Sequence, residues 1–330
     1  MTRARKYQIS LDATPYYHVI SRCVRRAFLC GQDQLTGKCF EHRRGWIESD
    51  LEQLSAVFFI DIAAYAILSD HFHLVLHVDK HSAQQADMRD IIERWQRRFG
   101  VSDAAQKYLD HEPLEPHEKD LLNVQVELWR GRLFSISWLM RTLNETTARK
   151  ANKEDECTGR FWEGRFKSIP LLDDQALLSC MAYVDLNPIR AGMASTPETS
   201  EHTSIKRRAR CFNAHATAAG CPQPNHLMPL IGARLQPNVK GIAFNVVDYL
   251  ELVDWTGRQI RENPSGKIHS DAPAILTRLS ISPTHWIYLS TQFESRFKGL
   301  VGTVESLKRS FKQFGLKRSP NLRTSRLLFG

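Results

Sequence analysis

The chain has 330 residues, of which 42% are hydrophobic and 25% charged, so it is typical of a globular protein with one large domain or two ordinary ones. Its 45 Lys and Arg against 36 Asp and Glu give a formal charge of +9, which favours a polyanionic partner such as nucleic acid. Seven cysteines without a C-x-x-C pair argue against a zinc ribbon and a disulfide framework, and the absence of a long apolar run or signal sequence predicts a soluble, unexported protein.

The first eighty residues predict the order strand, helix, strand, strand. Residues 16–23 are rich in β-branched and aromatic side chains, and apolar residues recur at helical spacing within residues 37–55. Residues 58–68 form an apolar run of strand character, and Ser69-Asp70 supplies a turn. The strand that follows is therefore expected to be a hairpin partner of residues 58–68.

This last strand carries three histidines on one face. From residue 71 to 78 polar and apolar side chains alternate, so His71, His73 and His77 share a side while Phe72 and Leu74 face the other way. Imidazoles two residues apart can bind one metal ion, whereas His77 lies roughly 13 Å beyond His73 at about 3.3 Å per residue. His71 and His73 are the candidate pair, although a lone His-x-His is more often incidental.

The middle of the chain is predicted to be helical and then basic and aromatic. Residues 81–132 read as a helical insertion that fills out the fold, and residues 134–150 as an amphipathic helix. Residues 158–170 contain Gly-Arg-Phe twice and interleave cations with aromatic rings, a composition typical of single-stranded nucleic acid sites. The alternative is that these aromatic side chains are core residues with a solvated basic rim.

A second decisive stretch covers residues 171–192. Asp173 or Asp174 can cap a helix that weakens before Pro188. Tyr183 and Asn187 are four residues apart, so their side chains point the same way if the helix reaches its last turn.

Three motifs in this order resemble a known family. Tyr65-Ala-Ile-Leu-Ser-Asp-His-Phe-His-Leu-Val-Leu, Gly159-Arg-Phe-Trp-Glu-Gly-Arg-Phe-Lys-Ser and Ala182-Tyr-Val-Asp-Leu-Asn-Pro-Ile-Arg-Ala-Gly are similar to segments of the single-tyrosine transposases of the HUH endonuclease superfamily. The chain is most similar to the REP-associated tyrosine transposases, which are bacterial and often no longer mobile. The resemblance covers roughly residues 16–193.

The resemblance implies an α+β fold with a ferredoxin-like antiparallel sheet, helices on one face, and the tyrosine on a helix lying across the sheet. It implies that His71, His73 and Asn187 bind Mg²⁺ or Mn²⁺ and that Tyr183 is the catalytic nucleophile. The family usually has Pro-Asn or Pro-Glu where this chain has Ser69-Asp70, so no role is carried over to Asp70.

The implied domain organisation has three parts. Residues 1–193 form the catalytic domain, residues 194–240 a linker or long loop, and residues 241–330 a smaller, basic, helical DNA-binding domain. The predicted DNA-binding residues are basic side chains near the motifs and in the linker: Arg22, Arg25, Arg160, Arg165, Lys167, Arg190, Lys206, Arg207 and Arg208.

The resulting functional hypothesis is a metal-dependent single-stranded DNA endonuclease and strand transferase. It nicks and rejoins DNA near hairpin or palindromic repeats through a 5′-phosphotyrosine intermediate. The expected location is the bacterial cytoplasm at the nucleoid, without a membrane partner, and the oligomeric state is open between monomer and homodimer. Two other classes remain: a domesticated repeat-DNA-binding protein with little turnover, and a metal-binding structural protein.

Overall fold

The fold is built on a four-stranded antiparallel sheet of order β2-β3-β1-β4. The computed structural model describes residues 7–24, 29–32, 37–214, 223–232, 240–262 and 272–329. The strands are β1 (Tyr16–Arg22), β2 (Ile60–Ile67), β3 (His71–Val78) and β4 (Lys167–Leu171). Because β1 and β2 each pair antiparallel with β3 between them, they are parallel to one another in a split β-α-β arrangement. The α+β prediction and the hairpin of β2 and β3 agree with this architecture.

Helices connect and follow the strands. Helix α1 joins β1 to β2, five helices lie between β3 and β4, and eight helices follow β4 in the described residues. Their bounds are α1 (His42–Val57), α2 (Lys80–Gln85), α3 (Met88–Gln96), α4 (Asp103–Leu109), α5 (Pro116–Leu133), α6 (Ile136–Glu154), α7 (Asp174–Asp185), α8 (Asn187–Arg190), α9 (Ser204–Ala214), α10 (Val246–Glu262), α11 (Ala274–Arg278), α12 (Pro283–Arg296), α13 (Val304–Ser310) and α14 (Leu322–Leu328).

Apolar side chains cover both faces of the sheet. Phe72 and Leu74 of β3 belong to a hydrophobic cluster with α1, α3, α5 and α6, while Val75 belongs to another with α7, α10 and α12. The pairing of β2 with β3 shifts register between Ile62 and Ala64. The alanines of this part of β2 pack in the same cluster as α7. The expectation of helices on one face is therefore wrong. The apolar residues on both sides of β2 are the signal of a sheet buried on two sides.

Part of the segment interpreted as a linker or long loop is a packed helix. Helix α9 lies against β2, where the Ser204 hydroxyl accepts a hydrogen bond from the Tyr65 amide at 2.9 Å. Arg208 is 1% exposed and donates to the carbonyl oxygens of Ala63 and Met228. One arginine of the basic segment 206–210 is therefore a core residue. A buried guanidinium can donate hydrogen bonds to several carbonyl oxygens at once. The division into three domains stays a prediction.

The C-terminal helices share a core with the sheet. Trp286, Phe293 and Phe297 of α12 and its end, together with Leu328 and Phe329, lie in the hydrophobic cluster that contains Val75 and Tyr183. No helix of the described residues has the length and apolar character needed to cross a membrane.

The carboxylate of Glu48 joins three segments around β2. It accepts hydrogen bonds from the Tyr65 hydroxyl at 2.5 Å, from His202 Nδ1 at 2.9 Å and from Arg207 Nε at 3.1 Å. Burial alone would raise the pKa of Glu48, but the bonds from His202, Arg207 and Tyr65 outweigh it and lower the pKa to about 2. The ionised carboxylate therefore stabilises the attachment of α9 to the sheet.

We expect Glu48→Gln to lower the free energy of unfolding by about 2–3 kcal/mol at pH 7. Because the folded-state pKa is depressed, this stabilisation is fully present above the ordinary glutamate pKa of 4.5 and is lost as the pH falls towards about 2. Urea unfolding between pH 5 and pH 2.5, where this stabilisation is lost, should show a shallower pH dependence in the variant than in the wild type. Glu251→Gln, which changes an exposed carboxylate on α10, is the control. Identical pH dependence in Glu48→Gln and the wild type would contradict this role.

Candidate active site

The phenol and the histidine pair predicted from sequence lie together between the sheet and α7. The ring centroids of His71 and His73 are 4.8 Å apart, and those of His73 and Tyr183 are 5.8 Å apart with perpendicular planes. His77 lies farther along β3, where its Nδ1 is 2.9 Å from an oxygen of Asp61. Two sequence-predicted ligands and the predicted nucleophile therefore share one site, and His77 does not belong to it.

Tyr183 lies in the last turn of α7, and a side-chain cap fixes the start of that helix. Asp173 is the N-cap residue, and its side chain accepts a hydrogen bond from the Ala176 amide at 3.0 Å. The helix ends at Asp185, and Leu186 keeps helical backbone angles before α8 begins at Asn187. Pro188 fits there because the first turn of a helix does not need its amide hydrogen. Tyr183 therefore lies in the last turn of α7, and Asn187 is the first residue of α8.

Both candidate metal-binding imidazoles have their Nδ1 atom tied to a partner. His71 Nδ1 forms a short hydrogen bond with an Asp70 carboxylate oxygen, and His73 Nδ1 lies 2.9 Å from His18 Nε2. His73 Nε2 is buried without a hydrogen-bond partner among the described residues. An imidazole whose Nδ1 is held by a second residue and whose Nε2 is uncommitted has the arrangement of a metal ligand.

Burial keeps two of these imidazoles neutral. It lowers the pKa of His18 to about 4 and holds the pKa of His73 well below its ordinary 6.5. Neutral imidazole is the form that binds a metal ion, so His73 needs no deprotonation at neutral pH.

The donor set fits an open metal site better than a closed one. No group of three or more His, Cys, Asp or Glu side chains in the described residues is arranged to hold a metal ion. A third protein ligand would have to come from another residue type, and Asn187 is 8% exposed with a buried Nδ2 that has no hydrogen-bond partner in the described part of the chain. The unpartnered Nδ2 is a hydrogen-bond donor and not a metal ligand, so the role of the Asn187 amide oxygen stays a prediction. Two imidazoles alone leave several coordination positions for substrate and water.

Tyr183 is itself 7% exposed and packs between an arginine and a phenylalanine. The Arg190 guanidinium lies 3.9 Å from the centre of its ring, and the Phe293 ring centroid is 5.7 Å away. Burial raises the pKa of Tyr183 to about 12, and the charge of Arg190 opposes that rise. Arg190 also donates to the carbonyl oxygens of Tyr183 and Ser290, both at 2.7 Å. It therefore positions the phenol and joins α7 to α12.

Four predicted DNA-binding residues lie near one another at the end of the sheet. Arg22 ends β1 and lies 3.7 Å from Asp70, which links it to the His71 side of the site. Arg165 and Lys167 line a groove with Arg22, and Arg160 is exposed with its Nε donating to the Trp162 carbonyl.

The remaining predicted contacts have other partners in the fold. Arg208 is buried, so its assignment to DNA binding is wrong, and the partly exposed Arg190 packs its guanidinium on the Tyr183 ring. Lys206 pairs with Glu201 and Arg207 with Glu48, while Arg25 lies outside the described residues.

The aromatic side chains of the basic stretch are mostly core residues. Phe161 is 2% and Trp162 9% exposed, and both belong to the cluster beneath α6. The prediction that these two rings offer free faces to bases is wrong, because spacing along a sequence does not reveal which aromatic rings a fold buries.

Sequence reasoning missed two residues that hold the histidine pair. His18 shares the sheet face with His73, and the alternation of Tyr16, His18 and Ile20 in a predicted strand was the available signal. Asp70 immediately precedes His71 and was assigned only to the turn.

Comparison with known proteins gives one distant likeness. No family model matches the chain, and no curated protein matches it. A solved structure of a REP-associated tyrosine transposase bound to a REP hairpin aligns with 70% of this chain and 99% of its own, at 10% sequence identity and a TM-score of 0.37.

Proposed function

We propose that the chain is a DNA-nicking and DNA-joining enzyme of the single-tyrosine HUH type. Its substrate is single-stranded DNA beside a hairpin or palindromic repeat, and its intermediate is a 5′-phosphotyrosine. The observation that carries the proposal is the shared site of Tyr183, His71 and His73, in which His73 Nε2 is buried and uncommitted next to the phenol.

The residues of the site divide the chemistry between them. His71, His73 and the Asn187 side chain would hold Mg²⁺ or Mn²⁺, which when bound withdraws charge from the scissile phosphate. Nitrogen ligands favour Mn²⁺ over Mg²⁺, which prefers oxygen. Tyr183 is a protonated phenol in the resting site, and Arg190 lies where its charge favours the developing phenolate.

The group transfer conserves the phosphodiester bond energy. The Tyr183 Oη–phosphorus bond forms as the phosphorus–O3′ bond breaks, the phenolic proton leaves to water, and the released 3′ oxygen takes a proton. Attack by a 3′ hydroxyl on the phosphotyrosine reverses these changes and joins a strand. Neither step needs a nucleotide cofactor.

A direct test uses labelled hairpin oligonucleotides with single-stranded flanks, taken from the DNA that borders the gene. We expect a protein–DNA adduct that survives denaturation, forms with Mn²⁺ or Mg²⁺, and is absent with a chelator. Free 3′-hydroxyl product in equal amount should accompany it. Cleavage without any adduct would contradict the tyrosine mechanism.

A second function is favoured by the burial of Tyr183. A phenol that is 7% exposed and has a pKa of about 12 is a poor nucleophile until a substrate or a metal ion changes its surroundings. A host-domesticated protein that binds repeat DNA with little turnover would retain this arrangement. Tight hairpin binding without an adduct under every metal condition would support that function instead.

The Asp70 carboxylate should tune the affinity of the metal site. We expect Asp70→Asn to weaken Mn²⁺ binding by about 10–100-fold, because it removes the charged partner of His71 Nδ1. Calorimetric titration of the full chain with Mn²⁺ measures the change. Asp61→Asn is a matched control, since Asp61 holds the Nδ1 atom of His77 on the same strand. Equal affinities in both variants and the wild type would contradict a metal site at His71.

A further inference from the structure

Helix α5 carries an apolar stripe on its solvent-facing side. Leu121, Val124 and Leu128 are 68%, 72% and 52% exposed, and their spacing of three and four residues places them on one face of the helix. Each of the other exposed large apolar side chains of the described residues lies in a different segment of the chain. A contiguous apolar patch is typical of an interaction site, whereas single exposed apolar residues are ordinary.

The same helix buries a second apolar stripe on its opposite side. Leu122, Val126, Trp129 and Leu133 belong to the hydrophobic cluster that contains Phe72. A helix that is apolar on both sides is typical of a position between two layers, whereas a surface helix has one polar face. Helix α6, which has nearly the same length, has no large apolar side chain among the exposed ones. The outer stripe of α5 is therefore not used in the packing of the described residues.

Charged side chains border the outer stripe on both sides. With 3.6 residues per turn, Glu127 lies on one side of the stripe and Arg132 on the other. Glu127 is 67% exposed, and its ion-pair partner Arg130 belongs to the same helix. The Arg132 guanidinium lies 4.2 Å from the centre of the Trp138 ring and has no carboxylate partner in the part of the chain that the structure describes. A guanidinium stacked on a ring keeps the N–H donors in its plane for a carboxylate.

These charges are complementary to those of a second copy of the chain when the two helices run parallel. About a twofold axis along the seam, the Glu127 side of one copy faces the Arg132 side of the other, which gives two ion pairs of the kind that flank coiled-coil seams. In an antiparallel pair the Glu127 sides, which also carry Asp120, would face each other and repel. Gly131 extends the stripe by one turn, and the open space beside its Cα lets a second helix approach closely.

We infer that two copies of this chain associate through parallel α5 helices. Leu121, Val124 and Leu128 of both copies form the seam. Glu127 of each copy pairs with Arg132 of the other along its edges. Three apolar side chains per copy cover far less than the roughly 800 Å² that each partner contributes to a standard interface, so the dimer is reversible and forms at high protein concentration.

The seam and the Tyr183 site lie on opposite faces of the sheet. Helix α5 belongs to the cluster that contains Phe72, and Tyr183 belongs to the cluster that contains Val75. Association through α5 therefore joins two chains without covering the site of either, and the Tyr183, His71 and His73 of each site come from a single chain. The association can be measured without metal or DNA, so its outcome is independent of the proposed reaction.

The test is sedimentation velocity of the full chain at concentrations from about 2 to 200 μM, with chelator and without DNA. We expect the weight-average sedimentation coefficient of the wild type to rise towards that of a dimer. Leu121→Glu places two unpaired carboxylates in the seam and should weaken association at least about 10-fold. Leu121 is exposed in the single chain, so the variant should fold, and thermal melting verifies it.

Leu327→Glu is the matched control, because Leu327 is 64% exposed and lies on α14. We expect this variant to associate like the wild type. A wild type that stays monomeric at the highest concentration, or an equal loss of association in both variants, would overturn the inference. Association that Leu121→Glu leaves unchanged would overturn it as well.

A charge exchange tests the parallel orientation. Glu127→Arg alone should weaken association about 10-fold, because each new arginine faces Arg132 of the other copy. Combined with Arg132→Glu, it should restore association to within about two-fold of the wild type. An antiparallel pair does not bring these two positions together, so a double variant as weak as the single one would overturn the parallel seam.

Discussion

Tyr183→Phe is expected to abolish the covalent adduct while leaving single-stranded DNA affinity within about two-fold of the wild type, because only the nucleophilic oxygen is removed. The ring that packs against Arg190 and Phe293 remains, so the site keeps its shape. Denaturing gel electrophoresis of labelled oligonucleotide with Mn²⁺ measures the adduct, and we expect a loss of at least about 10³-fold.

Tyr16→Phe is the control for this variant. Tyr16 lies on β1 beside His77, and burial raises its pKa to about 12, as it does for Tyr183. Both variants remove a phenolic hydroxyl, from the partly buried Tyr16 and from the buried Tyr183, but of the two only Tyr183 contacts His73. Adduct formation by Tyr183→Phe at the wild-type rate would remove Tyr183 from the chemistry.

The second large effect is expected at the histidine pair. His73→Ala should reduce metal-dependent adduct formation by at least about 10³-fold, since the buried Nε2 ligand is lost. Because His73 is fully buried, the same change should cost about 1–3 kcal/mol of stability through the cavity it leaves. His71→Ala separates the two effects, since His71 lies at the start of β3 with part of its side chain exposed.

His77→Ala is the matched control on the same strand and face. His77 pairs with Asp61 and contacts Tyr16, not Tyr183. We expect it to keep wild-type adduct formation with Mn²⁺, whereas both His71→Ala and His73→Ala lose it in folded protein. Full activity of a folded His71→Ala variant would exclude a metal site built on this pair.

The local geometry of the site could be predicted because it depends on short-range periodicity. Alternation in β3 places His71 and His73 on one face, and an aspartate cap followed by helical spacing places Tyr183 on α7. Each of these patterns lies within one element. The distance of 5.8 Å between the His73 and Tyr183 rings needs the packing of α7 on the sheet, for which the sequence motif was only an indirect indication.

The sequence-based predictions that were wrong all depend on the tertiary environment of a side chain. Phe161 and Arg208 have the composition of a nucleic-acid surface, yet the fold buries both because a ring or a guanidinium stem can fill a core when its polar atoms are satisfied. The contact of His18 with His73 joins residues 55 apart in the chain. The helices that pack on the Val75 face of the sheet, α7, α10 and α12, likewise come from residues far along the chain from β3.

The role of Tyr183 as nucleophile can be read from the chemical position of the DNA in the trapped adduct. After reaction with Mn²⁺, protease and nuclease digestion followed by tandem mass spectrometry locates the residual nucleotide. We expect a 5′-phosphodiester on the hydroxyl of Tyr183 and on no other residue. A nucleotide attached to a different side chain, or cleaved DNA with no modified peptide, would contradict it.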